Sequence, residues 1–134
     1  MSLELADIKD YWFEVNCELT SLHIKDSQRG IADWIPEDVY AACKYGYAKL
    51  YICDDGYLIF KMNGSEFNIW FAISTSPGKK DLMSHYFGDI CDIAEQAQAK
   101  TMAFYTTRKG YDRVVNSGGL PGFKFQHSKY VREV

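Results

Sequence analysis

The stretch AKLYICDDGYLIFKMNGSEFNIWFAIS, residues 48–74, decides the fold. It holds three runs rich in aromatic and β-branched residues, 48–53, 57–62 and 67–74, the composition that suits a pleated, half-buried surface. Between them stand Asp54-Asp55-Gly56 and Asn63-Gly64, residue types that tolerate the positive φ of tight hairpin turns. Three strands joined by two short turns predict an antiparallel meander.

Working upstream, Ile8, Tyr11, Trp12, Val15, Leu19 and Leu22 recur at three-four spacing after a possible Asp7 N-cap, so residues 7–22 are expected to form an amphipathic helix. Residues 23–33 turn polar, with Asp26, Ser27, Gln28 and Gly30 together, and read as a surface loop. Pro36 suits a first helical turn, Glu37 and Asp38 complement the helix dipole, and Gly46 can stop a helix spanning 36–45. Its Val39, Tyr40 and Cys43 are expected to face inward.

Downstream of Ser76-Pro77-Gly78, the run 81–99 sets Leu82, Met83, Tyr86, Phe87, Ile90, Ile93, Ala94 and Ala97 on one face of a long helix that should cover the sheet. Residues 101–106 are β-prone, 111–116 suit a short helix stopped by Gly118-Gly119, and 123–131 read as a last strand after Pro121-Gly122. No repeat or low-complexity segment interrupts this order. The expectation is an α+β fold in a single domain, 1–134.

The composition excludes several classes. Of the 134 residues 47% are hydrophobic and 25% charged, which is globular usage rather than disorder. A net charge of −3 provides no broad cationic field, so no nucleic-acid partner is expected. Lys79, Lys80, Lys100, Arg108, Lys109 and Arg113 gather in the second half, either as a local basic patch or, as is usual for such charges, as a solvated face. No basic segment leads into an apolar core at the start, and no window approaches a membrane span, which together predict a cytoplasmic protein without a membrane partner. Cys17, Cys43, Cys53 and Cys91 lack CxxC pairing or a His at ligand spacing. They are expected to be reduced, buried thiols, with no metal site. P-loop, GxSxG and HExxH motifs are absent.

From residue 48 onward, the order of meander, long helix, strand, short helix and closing strand resembles the GNAT N-acetyltransferase fold. The two preceding helices resemble the pair this family places ahead of its meander; its first strand is not evident, and only residues 2–5 could supply a remnant of it. The resemblance implies acetyl-CoA as cofactor and a small-molecule or peptide amine as acceptor. In the family, the turn between the third meander strand and the long helix holds the pyrophosphate on backbone N–H groups through a Q/R-x-x-G-x-G/A pattern. Glycines let the backbone close on phosphate, and a helix N-terminus offers donors. Here the turn reads Ser74-Thr75-Ser76-Pro77-Gly78-Lys79-Lys80-Asp81. Gly78 can serve as the first glycine, whereas Lys80 stands at the second small position and no Gln or Arg precedes Gly78 by three.

Two readings of that turn stay open. Either Ser76, Gly78, Lys79 and Lys80 bind phosphates, with Ile73 and Ser74 lining the cleft, or the segment only starts a helix and carries two solvated lysines. The resemblance also implies a Tyr acid in the late short helix, four residues before a Gly-Phe pair. Val114 and Val115 occupy that neighbourhood, leaving Tyr111 as the nearest substitute. For a general base on the third meander strand, Glu66 is the only nearby carboxylate. Asp54 and Asp55 read as turn residues, and His85 as a partly buried structural histidine near the cleft.

The functional expectation is therefore a divergent acetyl-CoA-dependent N-acetyltransferase. The alternative is a noncatalytic structural or interaction protein on the same fold, resembling degenerate GNAT-like proteins of bacteriophages and prophages. A homodimer fits either if the strand at 123–131 is an exposed edge; Lys124, Lys129 and Arg132 would oppose such pairing.

Overall fold

The computed structural model describes residues 3–28, 30, 33–75, 82–105, 122–126 and 129–134. The meander forms β2 (Ala48–Cys53), β3 (Gly56–Asn63) and β4 (Glu66–Ser74). Cys53 pairs with Gly56 and Asn63 with Glu66, so Asp54-Asp55 and Gly64-Ser65 are two-residue turns. Only the glycines take positive φ there, Gly56 at 153° and Gly64 at 62°. Gly56 has a second reason to be glycine: a Cβ at this position would lie 2.0 Å from the Ile73 carbonyl oxygen.

Upstream stand β1 (Glu4–Ala6), α1 (Ile8–Gln28) and α2 (Pro36–Lys44). β1 is the three-residue edge strand that the sequence only hinted at, and it pairs antiparallel with β2. α1 continues six residues beyond the expected 22. His23, placed in a loop by the polar composition, instead packs edge-on against Trp34 at 5.2 Å, and a tertiary contact of this kind overrides local polarity. The chain leaves the helix at Gly30, in the left-handed region at φ 70°. α2 begins at Pro36 as expected, with the Asp38 carboxylate accepting the Ile35 N–H at 3.1 Å.

The expected single long helix is two: α3 (Leu82–His85) and α4 (Phe87–Gln96). Tyr86, at φ −109° and ψ 20°, separates them. The bonds from Tyr86 N–H to Leu82 and from Ile90 N–H to Tyr86 persist at 3.1 and 3.0 Å, so the axis is distorted locally rather than broken. α4 ends with Gln98 in the left-handed region at φ 59°. Ala99 N–H donates to Ala94 and Gln98 N–H to Glu95, the Schellman pattern in which C′ is usually Gly. Ala97, expected on the inner face, is the exposed cap residue, and Ala99 is buried in its place.

β5 (Thr101–Tyr105) pairs parallel with β4. The expected last strand at 123–131 is two strands, β6 (Lys124–Gln126) and β7 (Lys129–Glu133), paired antiparallel. The sheet order is β1-β2-β3-β4-β5-β7-β6, so β7 is internal and β6 is the edge. Arg132 is not an edge charge. Its guanidinium lies 5.3 Å from the Phe87 ring centroid and 3.4 Å from Cys91 Sγ. The short helix expected at 111–116 lies outside the described residues.

Alternation along the strands divides the core into two layers. Leu58, Phe60, Phe67 and Ile69 pack with Leu82, Met83, Tyr86 and Ile90 on the α3–α4 face. Ile59, Phe71 and Ile73 pack with Ile8, Val15, Leu19 and Val39 on the α1–α2 face. Val15, Leu19 and Val39 are fully buried, each contributing about 1.5–3 kcal/mol by leaving water. The cysteines are free, as expected, but not deeply buried: Cys17 is exposed on α1 and the other three are half-buried. Burial still pushes the Cys43 thiol up to about 11. Among the described residues no helix is long and apolar enough to cross a membrane, and no group of three or more His, Cys, Asp or Glu is placed to hold a metal ion.

Candidate active site

The parallel pair β4–β5 stays together for three residue pairs only, Glu66↔Thr101, Phe67↔Met102 and Asn68↔Ala103. Among the described residues, β4 continues beyond Asn68 to Ser74 on β3 alone, while β5 continues to Tyr105 on β7. The sheet therefore forks between its central strands, and β4 presents an edge about 20 Å long to the opening.

A β-bulge accounts for the fork. Phe60 pairs with Ile69 and Ile59 with Phe71, leaving Trp70 as the extra residue of β4. Ile69 lies in the α3–α4 layer, whereas Trp70 and Phe71 both join the α1–α2 layer. A bulge bends its strand and increases the local twist, which turns the rest of β4 away from β5. At the far end Thr75 N–H donates to the Asp55 carbonyl at 2.9 Å, fastening the exit of β4 to the β2–β3 turn. Because successive backbone groups of a strand point to opposite sides, those of Ala72 and Ser74 are directed toward the side that β5 leaves.

Two sets of side chains flank the fork. On the α1–α2 face Lys61 is paired across the sheet with Asn68, and its Nζ lies 4.0 Å from the centroid of the Trp70 ring. Phe71 meets Trp34 of the α1–α2 connection at 4.7 Å. Loss of hydration lowers the Lys61 ammonium from its usual range, opposed by the charge of Asp33.

Near the outer end of β4 lies a buried polar cluster. Asp55 is 7% exposed and Tyr86 3%. The Tyr86 hydroxyl donates to Asp55 Oδ2 at 2.8 Å, and His85 Nε2 stands 3.7 Å from the same oxygen. Cys53 Sγ donates to the Gly56 carbonyl at 3.4 Å. Burial and the Asp55 hydrogen bond raise the Tyr86 phenol well above the ordinary tyrosine range. This cluster ties the β2–β3 turn to the α3–α4 junction.

Of the residues singled out from sequence, Ile73 is buried and Ser74 exposed at the outer end of β4. Glu66 begins β4 on the closed side of the fork, two residues and about 7 Å along the strand from Asn68. It shares the α1–α2 face with Asn68 and Lys61, because Phe67 and Ile69 point to the other layer. The structure thus separates Glu66 from Ser74 by nearly the length of β4. Ser76, Gly78, Lys79, Lys80 and Tyr111 lie outside the described residues. Asp55, read from sequence as a turn residue only, carries the Tyr86 contact; nothing local signals this, since its partner is 31 positions away.

Neither a protein-family model nor a curated protein sequence matches the chain. Solved structures do match it along its whole length. One is the PaiA N-acetyltransferase of Thermoplasma acidophilum in complex with coenzyme A, with a TM-score of 0.58 at 14% identity, covering 100% of both chains. A second is RimL, the ribosomal L7/L12 alpha-N-protein acetyltransferase, with a TM-score of 0.62 at 15% identity, covering 100% of this chain and 91% of that one. A third is Tetrahymena GCN5, with a TM-score of 0.60 at 8% identity, covering 100% and 96%. With the forked parallel pair and the bulge at its mouth, these likenesses establish that the chain has the GNAT N-acetyltransferase fold.

Proposed function

We propose that the protein transfers an acetyl group from acetyl-CoA to a small-molecule or peptide amine by direct attack of the amine. The observation that carries this reading is the fork at Asn68↔Ala103. It leaves a strand edge where an extended acyl-thioester arm can form backbone hydrogen bonds in place of a missing neighbour strand, and a recess where a carbonyl can meet fixed N–H donors. The open edge fits such an arm, and the likeness to a coenzyme A complex supports it.

Ile73 and Ser74 line the arm, and Ser76, Gly78, Lys79 and Lys80 hold the pyrophosphate in the following turn. The bound thioester supplies an activated acyl group. Binding both reactants side by side removes the entropy of bringing them together, a large share of the barrier. Glu66, on the α1–α2 face near the closed end of the fork, takes the proton that the acceptor amine must shed, directly or through water. Tyr111 protonates the departing thiolate.

Titration calorimetry tests the reading. Saturable acetyl-CoA binding at micromolar affinity, about −8 kcal/mol, is expected, with amine-dependent thiol release. Replacing Gly78 by Val should abolish binding while leaving the fold intact. Unchanged affinity in that variant defeats the assigned phosphate turn. No binding at millimolar ligand defeats the enzyme and favours a noncatalytic interaction protein.

A further inference from the structure

Lys61 stands beside the apex of the fork. Its backbone is paired with Asn68, the last β4 residue joined to β5. Its ammonium rests 4.0 Å from the Trp70 ring centroid, and Trp70 is the bulge residue that opens the fork. The Trp70 face holds the cation in place. Glu66 lies diagonally across the β3–β4 pair on the same face, within reach of a long side chain.

From this juxtaposition of Lys61, Trp70 and the fork apex we infer that Lys61 is an internal acyl acceptor, so that the protein acetylates itself at this residue. The inference rests on the fork binding an acyl thioester, as proposed above. Incomplete hydration, which lowers the ammonium toward the neutral amine, favours the reaction. In the step itself the ammonium first yields one proton to Glu66 or water. The Nζ lone pair then attacks the thioester carbonyl carbon, the N–C bond forms as the C–S bond breaks, and the second Nζ proton ends on the departing thiolate. The products are Nε-acetyl-lysine and free coenzyme A. Acetylation replaces the charge held over Trp70 with a neutral amide.

The test incubates the full chain with acetyl-CoA, maps acetylated lysines by peptide mass spectrometry over time, and measures acetyl-CoA affinity in parallel by calorimetry. Lys61 should be modified at least about tenfold faster than the exposed Lys49, at a rate independent of protein concentration, as expected of an intramolecular reaction. Urea-unfolded chain serves as the control for intrinsic reactivity and should show no preference. Lys61→Arg should keep the wild-type affinity and lose only this modification. Binding without preferential Lys61 acetylation overturns the inference and leaves the proposed activity standing. Absence of binding overturns both.

Discussion

Replacing Tyr86 by Phe removes one hydroxyl and keeps the ring. The hydroxyl donates at 2.8 Å to Asp55 Oδ2, with both residues almost fully buried. A hydrogen bond to a charged acceptor contributes about 1.5–3 kcal/mol, and part of the loss is the cost of leaving a buried carboxylate with one donor fewer. At about 2.1 cal/mol/K of unfolding entropy per residue, a loss of about 2.5 kcal/mol lowers the Tm of this chain by roughly 9 °C. Thermal unfolding by circular dichroism at neutral pH reads the change directly, and urea titration with an unchanged m-value confirms that the unfolded state is unaffected. The pH dependence adds a second signature. The fold raises the phenol's ionisation, so its contribution is intact below the ordinary tyrosine value of about 10 and lost as pH climbs through the higher folded value. Wild-type stability should therefore fall on the alkaline limb, and the variant should lose that part of the fall. A shift below about 0.5 kcal/mol, with an unaltered alkaline limb, would refute the view that this bond ties the β2–β3 turn to the helix junction.

Gly56→Ala should cost at least about 3 kcal/mol or prevent folding, because the new Cβ meets the Ile73 carbonyl oxygen and cannot be relieved by a side-chain rotation; urea denaturation measures it. Gln98→Gly should stabilise by about 1 kcal/mol, since the C′ position at φ 59° strains any residue with a Cβ; an unchanged or lower Tm speaks against the Schellman assignment. Exposed Cys17 should alkylate with iodoacetamide well before Cys43, whose thiol is pushed up to about 11, and the Cys43 rate should keep rising with pH after an ordinary thiol has levelled off. The same displacement makes Cys43 a stabilising group at neutral pH whose contribution is lost between about pH 9 and 11.

The meander was legible because its determinants are local: strand-forming runs and turn residues lie next to one another in sequence, and β2 matches the expected 48–53 while β3 and β4 extend it by one or two residues. The amphipathic faces of α1 and α2 were legible for the same reason. What escaped depends on partners distant in sequence. α1 runs on past residue 22 because His23 finds Trp34, and the distortion at Tyr86 coincides with its bond to Asp55, a residue that alone looks like ordinary turn chemistry. The hairpin of β6 and β7 replaced one expected strand because a run of β-prone residues carries no count of the strands within it. The bulge at Trp70 has no signature of its own in an apolar run from Ile69 to Ile73; it shows only once the register with β3 is known. The site divides in the same way: Ile73 and Ser74, proposed to line the arm, follow from strand order, whereas the place of Lys61 beside the fork and the Asp55–Tyr86 contact show only in the folded chain.

The proposed activity requires the opening between β4 and β5 to receive an acyl-CoA arm. Amide NMR of the isotopically labelled chain titrated with acetyl-CoA tests it most directly. Saturable shift changes are expected to concentrate at residues 69–75 and 103–105 and continue into Leu82–His85, with β1 and α2 unmoved. Changes confined to the β1 edge or α2, or none at millimolar ligand, would contradict it.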